Sequence, residues 1–174
     1  MKSPTIKTEN YIIRPLKKED ASLWQEWDVD EEIQAHMPEP KNEVQDISGQ
    51  YEYIEECEKD KEGYYWSIET SEGVTIGTVS LFEVYTHHKL ANVGIVVGDK
   101  NYWGKGVATE VFQTLVPYAF EHLDISYIGA EVEADNTPMT RVFEKVGFTL
   151  DSLFKNARVK GEKRIDVLHF GVYK

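Results

Sequence analysis

The stretch NVGIVVGDKNYWGKGVATE, residues 92–110, runs from an apolar segment at 93–97 through Gly98 and a polar turn into Gly104-Lys105-Gly106, where a helical pattern starts at once. That order has a chemical consequence. Glycine lets the backbone come close to a ligand. The N–H groups of a helix's first turn have no intrahelical acceptor, and they sit at the positive end of the macrodipole. An anion such as a pyrophosphate is stabilised there. The spacing predicts a phosphate-bearing ligand at Gly104, Lys105, Gly106, Val107, Ala108 and Thr109.

Three familiar patterns put glycines between a strand and a helix. A P-loop requires G-x-x-x-x-G-K-[ST], but Gly98 lies one residue too far from Gly104-Lys105, and Gly106 fills the Ser/Thr place. A dinucleotide fingerprint requires a third glycine where Thr109 stands. An ordinary strand–turn–helix corner uses glycine only for tight turning.

The whole chain sets the bounds. Its 174 residues, 41% hydrophobic, suffice for one domain (1–174) with a substantial core. Nineteen Lys and Arg against 31 Asp and Glu give a net charge of −12, which argues against a nucleic-acid partner. An acidic surface suits a cationic substrate and equally serves solubility. The single Cys57 leaves no internal disulfide and no Cys-based metal cluster. No apolar run approaches membrane-spanning length, and the first residues lack a signal-like apolar region. A cytoplasmic protein with no membrane partner and no bound metal is expected. The adjacent His87 and His88 read as surface residues on a turn.

Taken in order, residues 11–16 read as a strand closed by Pro15. Asp20 is placed to cap a helix carrying Leu23, Trp24 and Trp27 on one face. Asp28, Asp30, Glu31 and Glu32 follow in an acidic segment, read either as a solvated face or as a lip attracting an amine. Residues 36–40 read as a loop. A second helix is expected over 43–59, with Asn42 and Gln45 as a capping box and Val44, Ile47, Tyr51 and Ile54 at helical spacing. Strands are expected at 65–69, 76–85 and 91–97, with a bulge at Val96, Val97 and Gly98. The helix after the glycine loop carries Val111, Phe112, Leu115 and Ala119 on its apolar face, with a bend near Pro117. The strand at 127–133 directs Glu131 and Glu133 to one face and Ile128, Ala130 and Val132 to the other. A strand–helix–strand crossover of this length points to parallel pairing. Thr137 is placed to cap a short helix with Pro138 at its first position, and Gly147 ends it. The tail reads as two strands, 148–154 and 165–172, around a basic loop holding Arg158, Lys160, Lys163 and Arg164.

Two motifs on this frame resemble the GNAT acyltransferase superfamily. YWGKGVATE is similar to its acyl-CoA loop, Q/R-x-x-G-x-G/A, with Asn101 where Gln or Arg is usual. NTPMTRVFEKVGF, residues 136–148, resembles its N-x-x-S/A-x-x-x-[YF]-E-K-x-G-F signature. They stand in the family's order, one helix and one strand apart. The opening IIRPLKKEDA and the closing GEKRIDVLHFGVYK resemble the branch that acetylates ribosomal-protein N-termini, spermidine and nucleotide-linked amino sugars. The resemblance implies an α/β fold: a seven-stranded mixed sheet splayed between its fourth and fifth strands, with about four helices. It implies acetyl-CoA in that gap and an N-acetyltransferase acting on a small-molecule or peptide amine, with a homodimer as the expected assembly. The pyrophosphate would lie at Gly104 to Thr109, the pantetheine against the backbone of Ile95, Val96 and Val97, with Trp103, Asn136, Phe143 and Lys145 also at the cofactor. Exposed strand edges offer unpaired N–H and C=O groups to such an amide-bearing arm.

The chemistry asks for an oriented amine, an acceptor for its proton, oxyanion stabilisation and a leaving thiol. The sequence departs from the family here. Phe143 stands where a general-acid Tyr is common, Met139 where one branch has Ser, and Asn92 where many relatives carry Glu. Glu83, Glu131 and Glu133 remain as bases acting through water, with Tyr85 or Thr140 to assist the thiolate. Asp28, Asp30, Glu31 and Glu32 are the expected acceptor-side residues. The loss of both proton donors equally suits a non-catalytic acyl-CoA-binding module of the same fold.

Overall fold

In a computed structural model, residues 3–38 and 46–174 are described. The elements run β1 (Ile6–Lys7), β2 (Tyr11–Pro15), α1 (Ala21–Asp28), α2 (Glu31–Gln34), α3 (Ile47–Lys59), β3 (Tyr64–Thr70), β4 (Thr75–Tyr85), β5 (Leu90–Val97), α4 (Val107–His122), β6 (Tyr127–Glu133), α5 (Thr137–Lys145), β7 (Thr149–Lys160) and β8 (Lys163–Tyr173). They build one mixed sheet in the order β1-β2-β3-β4-β5-β6-β8-β7. Among the described residues there are thus eight strands and five helices. The added strand is the two-residue β1, and the added helix is the single turn of α2, both too short to leave a periodic signal.

The long α4 crossover makes β5–β6 the parallel pair of the sheet, as the spacing predicts. Their register holds only for Leu90–Tyr127, Ala91–Ile128 and Asn92–Gly129. Beyond it β5 stays on β4, while β6 follows β8 along its whole length. The sheet therefore opens into a V between residues 93–97 and 130–133. Counted without β1, this is the expected splay between the fourth and fifth strands.

One core joins α4 to the sheet: Val111, Phe112, Leu115 and Ala119 are fully buried with Ile68, Ile76, Leu81 and Ile128. α4 continues unbroken through Pro117. A smaller cluster of Ala21, Trp24 and Ile54 joins α1 to α3. Trp27 on α1 lies on the end of β5: a Cβ on Gly98 would meet its ring at 2.0 Å, so only glycine admits that contact.

Several local expectations are corrected. The side chain of Asp20 does not cap α1. Its carboxylate is 3% exposed and takes a bidentate pair from Arg14 at 2.8 and 2.9 Å, with Ser67 Oγ donating at 2.7 Å. Arg14 also donates to Glu69 at 2.5 Å, so a charged network clamps β2, β3 and the turn before α1. Val96 and Val97 pair regularly with Thr78 and Gly77; the bulge falls instead between Phe82 and Tyr85, where Glu83 has φ 51°. Asn136, not Thr137, caps α5, its Oδ1 accepting the N–H of Met139. β7 and β8 form a longer hairpin than expected, so Arg158 and Lys160 stand on a strand. The expected capping box of α3 at Asn42 and Gln45, like Val44 and the helix start at residue 43, lies outside the described residues.

Candidate active site

The glycine loop is fixed at three points. Trp103 donates its indole N–H to the Val97 carbonyl at 2.7 Å. Lys100 bridges to Asp30, the N-cap of α2, at 2.6 Å and to Glu32 in its first turn at 2.7 Å. Glu110 in the first turn of α4 accepts from Thr8 Oγ1 and from the backbone and side chain of Asn10. Gly104 and Gly106 have φ +70° and +83°, and Gly106 is the N-cap of α4 with no side-chain cap bond. The left-handed backbone is what demands glycine here, because a Cβ at either position would meet nothing within 4 Å. The α4 terminus thus offers the N–H groups of Val107, Ala108 and Thr109, whereas the side chains of Val107 and Thr109 are buried in the core.

The V beside this loop is a cavity of about 790 Å³. β5 lines it with Asn92, Val93, Gly94, Ile95 and Val96; α5 contributes Asn136, Met139 and Phe143. Hydrogen-bonding direction alternates along a strand. Gly98 N–H donates to Ile76 on β4, so Ile95 and Val97 turn their backbone groups to the gap and Val96 turns its own to β4. The Val97 carbonyl is already taken by Trp103. Asn136 commits Oδ1 to the helix cap and keeps its Nδ2 donor.

Three carboxylates line the V, and each is engaged. Glu83, at the bulge, accepts from Asn92 Nδ2 at 2.6 Å. Glu131 accepts from Arg158 at 2.7 Å and lies 3.4 Å from His169 Nε2. Glu133, a candidate base from the sequence, is 2% exposed and paired with Lys160 at 2.7 Å. The spacing of His36, Glu133 and Asp135 would suit a cation, but the Glu133 carboxylate is already paired with the Lys160 ammonium. Tyr85 is absent from the cavity wall; its ring packs by His87 and His88 on the turn after β4. Thr140 bonds the Asn136 carbonyl. Lys145 is exposed at the end of α5 and lines no cavity described here. Tyr65 and Tyr127 do line the V, but their hydroxyls donate to Asp60 and Asp151. Burial, then the Asp151 hydrogen bond, raises Tyr127 to about 12.

His169 escaped the sequence reading. It faces Glu131 across the β6–β8 register, a relation that no spacing within either strand reveals. Phe143 is 3% exposed and packs against Phe112, Phe148 and Phe170, so its ring is core as well as cavity wall. The acidic segment is divided: Asp30 caps α2 and holds Lys100 together with Glu32, Glu31 is exposed, and Asp28 accepts from Gln50 beside a second cavity.

Residues 10–149 match the family model described as an acetyltransferase (GNAT) domain. An uncharacterized N-acetyltransferase p20 of Bacillus licheniformis is 29% identical over 174 residues, 98% of this chain and 96% of that protein. The spermidine N-acetyltransferase of Vibrio cholerae, crystallised with CoA and spermine, superposes with a TM-score of 0.85 at 20% identity over 94% of this chain and 95% of that one. Mycobacterium smegmatis RimJ, in complex with CoA-disulfide, gives 0.86 at 18% identity over 97% and 86%. With its splayed parallel pair, its glycine-capped α4 and a family match over most of its length, the chain belongs to the GNAT acetyltransferase family and is an N-acetyltransferase.

Proposed function

We propose that the protein transfers the acetyl group of acetyl-CoA to a primary amine by direct attack in a ternary complex. The observation that carries this reading is the V between β5 and β6, opening beside the glycine-capped start of α4. The pyrophosphate would meet the first-turn N–H groups of α4, with Lys105 nearby. The pantetheine would pair with the free backbone of Ile95 and the N–H of Val97, and Asn136 Nδ2 would donate to one of its amide carbonyls. The amine nitrogen bonds to the thioester carbon, the C–S bond breaks, and the nitrogen's proton leaves through a base. Positioning alone supplies roughly 7–11 kcal/mol in well-oriented reactions. Three groups on the wall can accept the proton, directly or through water: Glu83, Glu131 and the His169 imidazole beside it. Substituting each singly ranks them.

The acceptor belongs to the class of protein N-termini, polyamines and amino sugars, the polyamine in line with the spermidine N-acetyltransferase neighbour. We place the protein in the cytoplasm, in keeping with its free, buried Cys57; no described helix is long and apolar enough to cross a membrane. A homodimer is part of the same proposal. Strand β7 at the sheet edge exposes Leu150, Leu153, Phe154 and Val159 by 46–62%, and apolar edge strands are seldom left bare. Light scattering after gel filtration reads the assembly.

Thiol release from acetyl-CoA across an amine panel, alongside calorimetric CoA binding, tests the activity. Tight CoA binding with no thiol release from any amine would favour a non-catalytic acyl-CoA module, the reading that Met139 and Phe143 on the wall support.

A further inference from the structure

His169 lines the V at a depth that strand register fixes. β5 and β6 part after Asn92–Gly129, and a Cβ on Gly129 would meet Asn92 Oδ1 at 2.7 Å, so the two positions face the same side of the sheet. Glu131 comes two residues later on β6, about 7 Å into the gap, and alternation keeps it on that side. His169 is its partner in register on β8. On the opposite arm the same depth falls at Gly94 and Ile95. With a pyrophosphate at the start of α4, beyond the open end of the V, the acetyl end of the cofactor points to the apex. The thioester then lies between Ile95 and the apex, across from Glu131 and His169.

Glu131 bridges two side chains. Its Oε2 accepts from Arg158 Nη2 at 2.7 Å, and its Oε1 lies 3.4 Å from His169 Nε2. The Phe154 ring packs on the imidazole with centroids 4.5 Å apart. No hydrogen bond engages His169 Nδ1 among the described residues. The charges around the ring are thus Glu131 on β6 and, through it, Arg158 on β7, which also lies 3.9 Å from Glu133; Lys160 pairs with Glu133.

A primary amine arrives near neutral pH as an ammonium and must lose a proton before it attacks. An imidazole accepts that proton at neutral pH more readily than a carboxylate of ordinary basicity. A carboxylate already committed to a guanidinium is better suited to balance an imidazolium than to compete for the proton. Glu83, the other acid on the wall, is bound to Asn92 beside the apex.

Resting on the acetyl-transfer reading, we propose that His169 takes the proton of the acceptor ammonium, and that Glu131, oriented by Arg158, is the positioning residue that balances the imidazolium. His169 removes one proton from the ammonium. The freed nitrogen bonds to the thioester carbon, the C–S bond breaks, and the second proton lost by the nitrogen ends on the departing thiolate. The imidazolium returns its proton to water.

The test follows thiol release from acetyl-CoA against pH, using whichever of spermidine, glucosamine and a short peptide reacts fastest. His169→Ala should lower kcat/KM at neutral pH about a hundredfold or more, as loss of a positioned base does, with CoA affinity near the parent's. Added imidazole should restore part of the rate. The break that a titrating imidazole places in the profile between about pH 5 and 8 should disappear. His169→Gln, which keeps polar bulk, should show the same loss of the break and serves if the alanine variant is unstable. Glu131→Gln and Arg158→Met should move the break without removing it and lower kcat about two- to tenfold. A loss in His169→Ala that imidazole does not restore and that leaves the break in place would make the ring structural and overturn the proposal. A larger loss in Glu83→Gln than in His169→Ala would also overturn it. Thiol release from no amine would strike instead at the acetyl-transfer reading. NMR of the imidazole nitrogens then decides the Glu131–His169 pair separately: a His169 signal displaced by Glu131→Gln supports it, and an undisplaced one overturns it.

Discussion

Asn136 carries two jobs on two atoms, and substitution can separate them. Its Oδ1 accepts the Met139 N–H at 3.2 Å and so caps α5. Losing such a cap costs about 1 kcal/mol, a fall of roughly 2–4 °C in Tm for a domain of this size. Its Nδ2 is the donor left for a pantetheine carbonyl. A neutral hydrogen bond contributes about 0.5–1.5 kcal/mol net, or roughly two- to twelvefold in Kd. Asn136→Ala removes both, so Tm and CoA affinity should fall together. Asn136→Asp retains an acceptor at the cap, and its charge at the positive end of α5 contributes about 0.3–1 kcal/mol. It has no donor for a carbonyl. Its Tm should equal or exceed the parent's, while the Kd for CoA rises at least as much as in the alanine variant. Ligand-free thermal melts and calorimetric titration with CoA read the two effects apart. Parental CoA affinity in Asn136→Asp would show that the side chain serves the helix alone.

Gly106→Val should raise the Kd for CoA about tenfold or more, because a β-branched residue in the left-handed region costs about 1–3 kcal/mol and turns the first-turn N–H groups away; unchanged affinity in the folded variant would remove the basis of the anion site. Burial alone would raise the Asp20 carboxyl, but hydrogen bonds from Arg14, Ser67 and the Lys17 backbone together hold it below the usual carboxylate range. Its stabilisation is therefore present above about pH 4 and lost as the pH falls through the lower folded-state value. Asp20→Asn, which leaves Arg14 without its bidentate partner, should cost about 3–5 kcal/mol at neutral pH and flatten the acid limb of a denaturation curve; an unchanged limb would rule the network out as its source. Phe143→Tyr should change kcat by less than about tenfold, since its ring is already packed among three phenylalanines; a gain of several hundredfold would mean that proton donation limits the reaction. Neutralising Asp30 and Glu32 together should lower kcat/KM for a cationic amine by less than about fivefold, because Lys100 already holds both; a larger loss, erased by added salt, would restore them as an attracting lip.

Much of the fold was legible in local pattern. The strands from β3 to β6, the crossover helix and the two glycine-bearing turns leave signals of period and punctuation within about twenty residues. The chemistry of Gly104 and Gly106 was legible for the same reason, since a positive φ at a helix start leaves few residue types to choose from. The corrections fall where a side chain's partner is remote. Asp20 has the composition of a cap, yet Arg14 and Ser67 on neighbouring strands claim its carboxylate. Tyr85 sits two residues beyond Glu83, but the bulge between them sends it to the turn and leaves Glu83 in the V.

The sequence by itself determined the family, the order of the longer elements and the glycine-capped start of α4, because backbone conformation and apolar period are properties of neighbouring residues. The tertiary structure alone decided which charges remain available to a substrate. Lys100 meets Asp30 and Glu32, Lys160 meets Glu133, and Arg158 and His169 meet Glu131. Those pairings join residues from different strands and helices, and electrostatics and hydrogen bonding act through space, which the order of residues along the chain does not record.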